Sequence, residues 1–533
     1  MDRKLKHIEL FAGCGGMSLG LEAAGFELVL ANELSPMAGE TFAYNLLDEN
    51  LRELASKGSS SNKVLWLRSQ FTQLELTERL RENPFDYSKG NRTDIDDKTV
   101  FDNNLIVGNI NDFLDVLSSK PKLLAQLRKQ DVDLLSGGPP CQSFSLAGRR
   151  EKDNHKNLLP LSFAKFAGMI KPKVVLLENV KGITSPFTLD GHKYHAWVEV
   201  AKAFSLEQFV PICFMLNSKF YGVPQNRPRF ILMALRKDVL QALLTKTNDP
   251  LSKSILENAD RFYKLVQKYK LNLDVITHKD LELYDINKLP QVFNGELMPA
   301  IETNKNNFIS AEEAIGDLES NVVDEASMPA YVMVLNKLFA KKGKKSNKLV
   351  NHITRRHNFQ VRARFRWLQL VTTLNGTAPE ALKALLGNLD KTTAEIVFEK
   401  IKKTKILTHQ GEKEALKRLA SFPEFLDYLK SIQTKKHSQR ALKANEPAPA
   451  QMTIPDDLCH YSENELRTLT VREMARFQSF PDWFEFRSKV TTGGKQRSFE
   501  IPQYTQVGNA VPPLLALRLG QVIHNIINKI END

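Results

Sequence analysis

An apolar run, Ile8–Ala12, meets a glycine turn, Gly13-Cys14-Gly15-Gly16, and then a helical pattern from Met17 to Ala24 that Gly25 closes. A second apolar run, Glu27–Ala31, follows at once and ends in Asn32-Glu33. Two short apolar runs joined by one helix form a βαβ unit. Its crossover must return the chain as a parallel strand, and almost always with a right hand. Parallel sheets need cover on both faces, so the unit predicts helices packed on either side of a buried sheet. The same alternation recurs downstream. Leu105–Val107, Val132–Leu135, Val174–Leu177, Phe209–Leu216 and Phe230–Leu235 read as further strands. Helical patterns lie at Asp112–Leu117 and Leu158–Ile170. Ser35-Pro36 predicts another helix start, with serine as N-cap and proline at N1. The expected fold is α/β, a Rossmann-like doubly wound sheet.

In such a sheet, ligands bind outside the carboxyl ends of the strands. Gly13 and Gly15 at the first turn let backbone and helix N-terminus approach a ligand, and Glu33 stands where an acid accepts from ribose hydroxyls. That spacing indicates an adenosine-type cofactor without saying which. Gly137-Gly138-Pro139-Pro140-Cys141 follows the fourth strand and holds one cysteine on a stiff loop at the strand's end. Cys141 therefore stands where a nucleophile would stand.

The chain has 533 residues, enough for several domains, and a net charge of +12. A basic balance fits a polyanionic partner such as nucleic acid, and equally a basic surface kept for solubility. The four cysteines form no Cys-x-x-Cys pair, which argues against a zinc site or a disulfide framework and suits a reducing cytoplasm. No metal site is expected. No apolar run approaches the length of about 20 residues that spans a bilayer, so no membrane association is expected.

Residues 48–103 are polar and weakly patterned and read as a surface insertion. The loop 146–157 is rich in charge; its Arg149 is placed to clamp a substrate backbone, or the loop is an ordinary solvated one. Beyond 237 the alternation stops and lysines multiply. Residues 341–366 hold ten basic residues and no acid, among them Lys344, Lys345, Arg355 and Arg356, with Phe359 and Phe365 interleaved. That is a plausible phosphate-contacting face. Helical patterns follow at Pro379–Leu389, Ala394–Ile406 and Lys413–Leu429, and 433–455 reads as a linker marked by Ala448-Pro449-Ala450. Thr470 and Glu473 form a capping-box pattern. Gln506–Pro513 reads as a turn, and Leu515, Leu519, Ile523, Ile526 and Ile530 fall on one stripe of a last helix. The expected domains are 1–237 for the cofactor and catalysis, 238–464 as a basic, largely helical unit, and 465–533 returning to the first.

Together these motifs resemble the DNA (cytosine-5) methyltransferases. Phe11-Ala12-Gly13-Cys14-Gly15-Gly16 is similar to the family's first motif, and Asn32-Glu33 to its ribose acid. Gly138-Pro139-Pro140-Cys141-Gln142 resembles the nucleophile motif, and Glu178-Asn179-Val180 the motif of the catalytic glutamate. Gln225-Asn226-Arg227-Pro228-Arg229 fits Gln-x-Arg-x-Arg. The Arg472-Glu473 helix and Gly508-Asn509-Ala510-Val511 look like the last two motifs. All stand in the family's usual order. One departure is Asn109, in Gly108-Asn109-Ile110, where the family usually has an aspartate that accepts from the adenine amino group. Asparagine can accept the same bond through its carbonyl oxygen.

The resemblance implies S-adenosyl-L-methionine as methyl donor, bound on the methyltransferase version of the fold. Phe11, Gly13, Gly15, Glu33, Asn109, Ile110, Pro139 and Asn509 are the implied cofactor residues. Cys141 is the implied nucleophile at carbon 6 of cytosine, and Glu178 donates at ring nitrogen 3. Arg227 holds the base carbonyl; Arg229 supports Cys141, Glu178 or Arg227, or contacts the DNA backbone. The middle region occupies the target-recognition slot. The implied substrate is double-stranded DNA with the cytosine flipped out. The implied setting is a bacterial restriction–modification system, with a monomer in the cytoplasm and nucleoid and a cognate endonuclease as possible partner. Two rivals remain: an RNA (tRNA) cytosine methyltransferase, and a catalytically silent DNA-binding protein of the same fold. An adenine amino-methyltransferase would need an Asn/Asp-Pro-Pro-aromatic motif, which Gly138-Pro139-Pro140-Cys141 is not.

Overall fold

The computed structural model describes residues 3–86, 90–140, 159–189, 192–304, 306–319, 328–343, 349–374, 378–387, 390–410, 413–436, 438–451, 453 and 455–531. Its centre is a nine-stranded sheet. The strands are β1 (Leu5–Leu10), β2 (Phe26–Glu33), β3 (Val64–Trp66), β4 (Asn104–Val107), β5 (Leu134–Gly137), β6 (Val174–Val180), β7 (Phe209–Asn217), β8 (Pro228–Arg236) and β9 (Leu283–Asp285). Their order across the sheet is β9-β7-β8-β6-β5-β1-β2-β4-β3. Neighbours are parallel except β8, which runs antiparallel to both β6 and β7. The order reverses between β1 and β5, the switch point at which doubly wound sheets open a ligand crevice.

Alternation along each strand feeds two cores. Val174 and Leu176 of β6, with Ile231 and Met233 of β8, face one side. Val175, Leu177, Phe230 and Leu232 face the other. Helices α1 (Gly16–Ala23), α2 (Pro36–Leu46), α3 (Ile110–Ser119) and α4 (Leu159–Ile170) cover these faces. The chain's end then returns as α5 (Val471–Phe477), α6 (Gln503–Asn509) and α7 (Pro513–Glu531). α7 packs on α1 so closely that a Cβ on Gly20 would lie 2.3 Å from Pro513 O, and one on Gly520 would lie 2.7 Å from Ala24 Cβ. Only glycine permits that approach. The stripe expected on the last helix is buried at Leu515, Leu519, Ile523 and Ile526.

Several local expectations change. Part of the 48–103 insertion joins the sheet. It adds β3 to the sheet edge and buries Trp66 together with an Arg79–Asp94 ion pair at 2.6 Å. The stretch 413–429 is not one helix: Lys413–Lys417 pairs with Ile406–Gln410 as a hairpin, and only Phe422–Ser431 is helical. Within the expected linker, Ala448–Pro449 pairs in parallel with Gln225–Asn226. Residues 503–509 form a helix rather than a turn. The helix expected from Asp112 begins at Ile110, with Asn109 as its N-cap.

The change of sequence character at 237 does not coincide with a change of core. Leu240, Tyr263, Phe293, Val332 and Phe339 all lie in the first sheet's core. A separate core gathers around Trp367, Phe425 and Tyr428 and extends to Cys459. No single described helix is long and apolar enough to cross a membrane.

Candidate active site

Of the implied cofactor residues, Phe11, Gly13, Gly15, Glu33, Asn109 and Ile110 stand at the carboxyl ends of β1, β2 and β4, and Pro139 follows β5. Phe11 leaves β1 with φ 55°, a left-handed conformation that costs a bulky residue energy and recurs at functional turns. Its ring sits 6.3 Å from that of Phe163 on α4. Gly13 has φ 56° and open space where a Cβ would be, whereas a Cβ on Gly15 would lie 2.4 Å from Leu46 Cδ1. The turn is thus packed below and open above.

Glu33 ends β2. One carboxylate oxygen accepts from the Gly13 N–H and the other from the Ser35 N–H, each at 2.8 Å. Burial pushes its pKa up, and the N–H groups of Ser35, Gly13 and Leu34 oppose this. Each oxygen keeps acceptor capacity for a ribose hydroxyl. Asn109 Oδ1 accepts from the Asn111 N–H at 2.9 Å as the cap of α3, and an amide oxygen can accept a second bond. Ile110 is buried behind it. Asn509 is exposed at the end of α6. The open glycine turn and the unspent acceptor capacity of Glu33 fit the nucleoside of S-adenosylmethionine.

The second cluster lies at the ends of β5, β6 and β8. Glu178 is 7% exposed, and its Oε1 is 2.6 Å from Arg229 Nε. The two lie diagonally across the ladder, since Ile231 pairs with Glu178 and Arg229 with Val180. A Cβ on Gly138 would stand 3.2 Å from Glu178 Oε2, so the start of the cysteine loop lies against this carboxylate. The Asn179 side chain donates to Pro139 O at 2.9 Å and fixes the loop from the neighbouring strand. Cys141 and Arg149 lie outside the described residues, as do Lys344 and Lys345. The other three cysteines, Cys14, Cys213 and Cys459, are buried, and burial pushes each thiol's pKa up, away from the reactive thiolate.

The two arginines differ in their surroundings, and Arg229 meets one of the partners expected for it, Glu178. Arg227 is fully enclosed. Its Nη2 donates to Gly508 O at 3.0 Å and Ala510 O at 2.9 Å, and its Nη1 to Gln225 Oε1 at 3.3 Å. Desolvation lowers its pKa, with Arg229 adding to the effect and Glu178 opposing it. It is therefore Arg229, not Arg227, that the structure brings against Glu178. Gln225 and Asn179 carry these contacts and were not singled out from the sequence; both stand inside the quoted motifs, which was the available signal.

The basic run is also less free than its composition implied. Arg355 pairs with Asp456 at 2.8 Å, Arg366 with Glu463 at 2.9 Å, Lys341 with Asp48 at 3.1 Å, and Arg362 with Glu414. Arg356 is exposed.

The family model for C-5 cytosine-specific DNA methylases matches residues 5–60 and 90–525 and passes over the middle of the insertion. Among curated proteins, the type II methyltransferase M.DdeI of Desulfomicrobium norvegicum is 25% identical over 97% of this chain and 88% of its own. The type II methyltransferase M.XorII of Xanthomonas oryzae pv. oryzae is 24% identical over 98% of this chain and 85% of its own. The motif order, the cofactor crevice and the family match agree: this chain belongs to the C-5 cytosine-specific DNA methylases, which transfer a methyl group from S-adenosylmethionine to carbon 5 of cytosine in DNA.

Proposed function

We propose that the chain is the modification methyltransferase of a restriction–modification system. It methylates cytosine within one specific sequence of duplex DNA, acts as a monomer in the bacterial cytoplasm and nucleoid, and shares its site with a cognate endonuclease. The type II names of its relatives support this setting. One observation carries the chemical assignment: Glu178, Arg229 and the Gly138-Pro139 start of the cysteine loop converge beside the cofactor crevice.

Carbon 5 of cytosine is a weak nucleophile. Cys141 attacks carbon 6 as a thiolate, forming an S–C6 bond and pushing electrons toward ring nitrogen 3. Glu178 gives a proton to nitrogen 3, and Arg229 neutralises the carboxylate that remains. The carbonyl oxygen at carbon 2 gains charge in the same step and lies on the side of the ring that Arg229 serves. Carbon 5 is now enamine-like, and S-adenosylmethionine, when bound, supplies an electrophilic methyl group on its sulfonium. Once carbon 5 carries the methyl group, solvent takes its proton, the S–C6 bond breaks to release the Cys141 thiolate, and nitrogen 3 returns its proton to Glu178, which restores the ring. Glu33 holds the ribose hydroxyls, Phe11 stacks on adenine, and Asn109 accepts from the adenine amino group. The base must leave the stack first, at a cost of a few kcal/mol. The 238–464 unit, with Arg356, Lys344 and Lys345, grips the duplex meanwhile, and Arg149 joins from the other side.

Bisulfite sequencing of DNA from cells expressing the chain tests this reading. Protected cytosines at a single recurring sequence are the expected result. Uniform conversion of the DNA, with methylation found in tRNA instead, would show that the substrate assignment is wrong.

A further inference from the structure

The second core and the catalytic sheet meet at one buried glutamine. Arg440–Ala441 and Leu458–Cys459 pair as short parallel strands, and Ala441 and Cys459 both lie in the second core. Between them, Leu442 and Ala448 are buried in the core of the catalytic sheet. The chain therefore leaves the second core after Ala441, enters the first at Leu442 and Ala448, and is back in the second at Cys459. This loop is stitched to the segment just before the two arginines. Ala448–Pro449 pairs with Gln225–Asn226, and the Ala448 N–H donates to Pro224 O at 3.0 Å.

The stitch continues through the Gln225 side chain, which is 0% exposed. Its Oε1 accepts from the Gln451 N–H at 3.2 Å and from Arg227 Nη1 at 3.3 Å. Its Nε2 donates to Phe477 O at 3.0 Å and to Gln478 Oε1 at 3.3 Å. Gln478 Nε2 donates in turn to Val507 O at 2.7 Å, on the same helix whose end Arg227 holds. One oxygen thus serves the loop of the second unit and the first site arginine together. Gln225 is closed off from solvent, so a displacement of Gln451 is felt at Arg227. Arg229 lies two residues further along the same chain.

We propose that Gln225 is a positioning residue through which the second unit's engagement of DNA sets Arg227 and, two residues further along, the pairing of Arg229 with Glu178. This rests on the assignment of Glu178 and Arg229 to the base pocket. The coupling runs through Oε1, the acceptor half of the amide. The donor half, toward Phe477 and Gln478, only anchors it.

Three variants of the full chain separate these roles. Gln225→Leu removes both halves. Gln225→Glu keeps acceptors for Gln451 and Arg227 and loses the donors. Gln451→Pro removes the loop's N–H and leaves Gln225 intact. Methyl transfer from labelled S-adenosylmethionine to plasmid DNA propagated without the enzyme gives kcat and KM, and thermal midpoints report folding. Gln225→Leu and Gln451→Pro are expected to lower kcat about tenfold or more with KM for DNA within about twofold, while Gln225→Glu stays within about threefold of the parent kcat. Parent-level kcat in Gln451→Pro overturns the proposal. So does a Gln225→Glu variant as slow as Gln225→Leu at a similar thermal midpoint, because that places the effect in the donor half. Glu178→Gln, assayed in parallel, tests the base-pocket assignment on its own: full kcat there removes that assignment whatever the Gln225 series shows.

Discussion

Arg227 and Arg229 are two positions apart, and the resemblance gave the base carbonyl to Arg227 and a supporting role to Arg229. In extended chain, residues i and i+2 share a face, so the Gln-x-Arg-x-Arg pattern brings both arginines to one side and cannot rank them. Their partners rank them. Arg227 is spent on Gly508 O and Ala510 O, both more than 280 positions away, and on its near neighbour Gln225. Arg229 is spent on Glu178. Arg227→Ala strands two buried carbonyls and should cost about 3 kcal/mol or more in urea unfolding. Arg229→Ala should instead lower kcat about 100-fold or more, because it removes charge stabilisation at the reacting ring. An Arg227→Ala protein of parent stability and no activity would reverse the two roles.

The glycine turn between β1 and α1 shows what an element adds. Glu9 on β1 lies fully buried beneath that turn and is hydrogen-bonded to Ser18 of α1. Burial pushes its pKa from 4.5 up to about 8, Glu33 and Glu22 add to the rise, and the Ser18 bond opposes it. Between those two values the folded protein holds a proton that the unfolded chain has released. The stability this group contributes is therefore complete below about pH 4.5 and is lost as pH rises through about 8. Glu9→Gln imitates the protonated form. Its stability advantage over the parent should grow between about pH 5 and pH 8, read by urea unfolding at both. An advantage independent of pH would place the proton elsewhere. Elements with full patterns were legible: β1, β2, β4, β6, β7 and β8 fall where the apolar runs predict, and the Thr470–Glu473 capping box is present. β3 was missed because a strand of three residues has no period to read. Its surroundings also look polar, since their burial rests on the Arg79–Asp94 pair. The second hairpin arm, Lys413–Lys417, was read as the start of a helix because a five-residue arm does not separate the two periods.

At the scale of the molecule, the chain leaves the sheet, builds a second core around Trp367 and returns to close on α1. The motif order made that return legible. The charge balance of the middle region was not legible, because Asp48, Glu414, Asp456 and Glu463 come from distant positions to pair with the acid-free run. Cations already held by acids release few counterions on binding DNA. Arg356→Ala should reduce the slope of log affinity against log salt by about 0.9, and Arg355→Ala should leave it nearly unchanged. Equal reductions in the two variants would show that the Arg355–Asp456 pair opens on DNA.

The account as a whole turns on Cys141, the nucleophile proposed to act with Glu178 and Arg229. A duplex carrying 5-fluorocytosine at the methylated position tests it directly. Fluorine cannot leave carbon 5 as a cation, so the thiolate cannot be expelled and the adduct persists. With S-adenosylmethionine present, denaturing electrophoresis should show a stable protein–DNA species, and mass spectrometry should place the methylated base on the peptide containing Cys141. No adduct, or one on Cys14, Cys213 or Cys459, would contradict the mechanism.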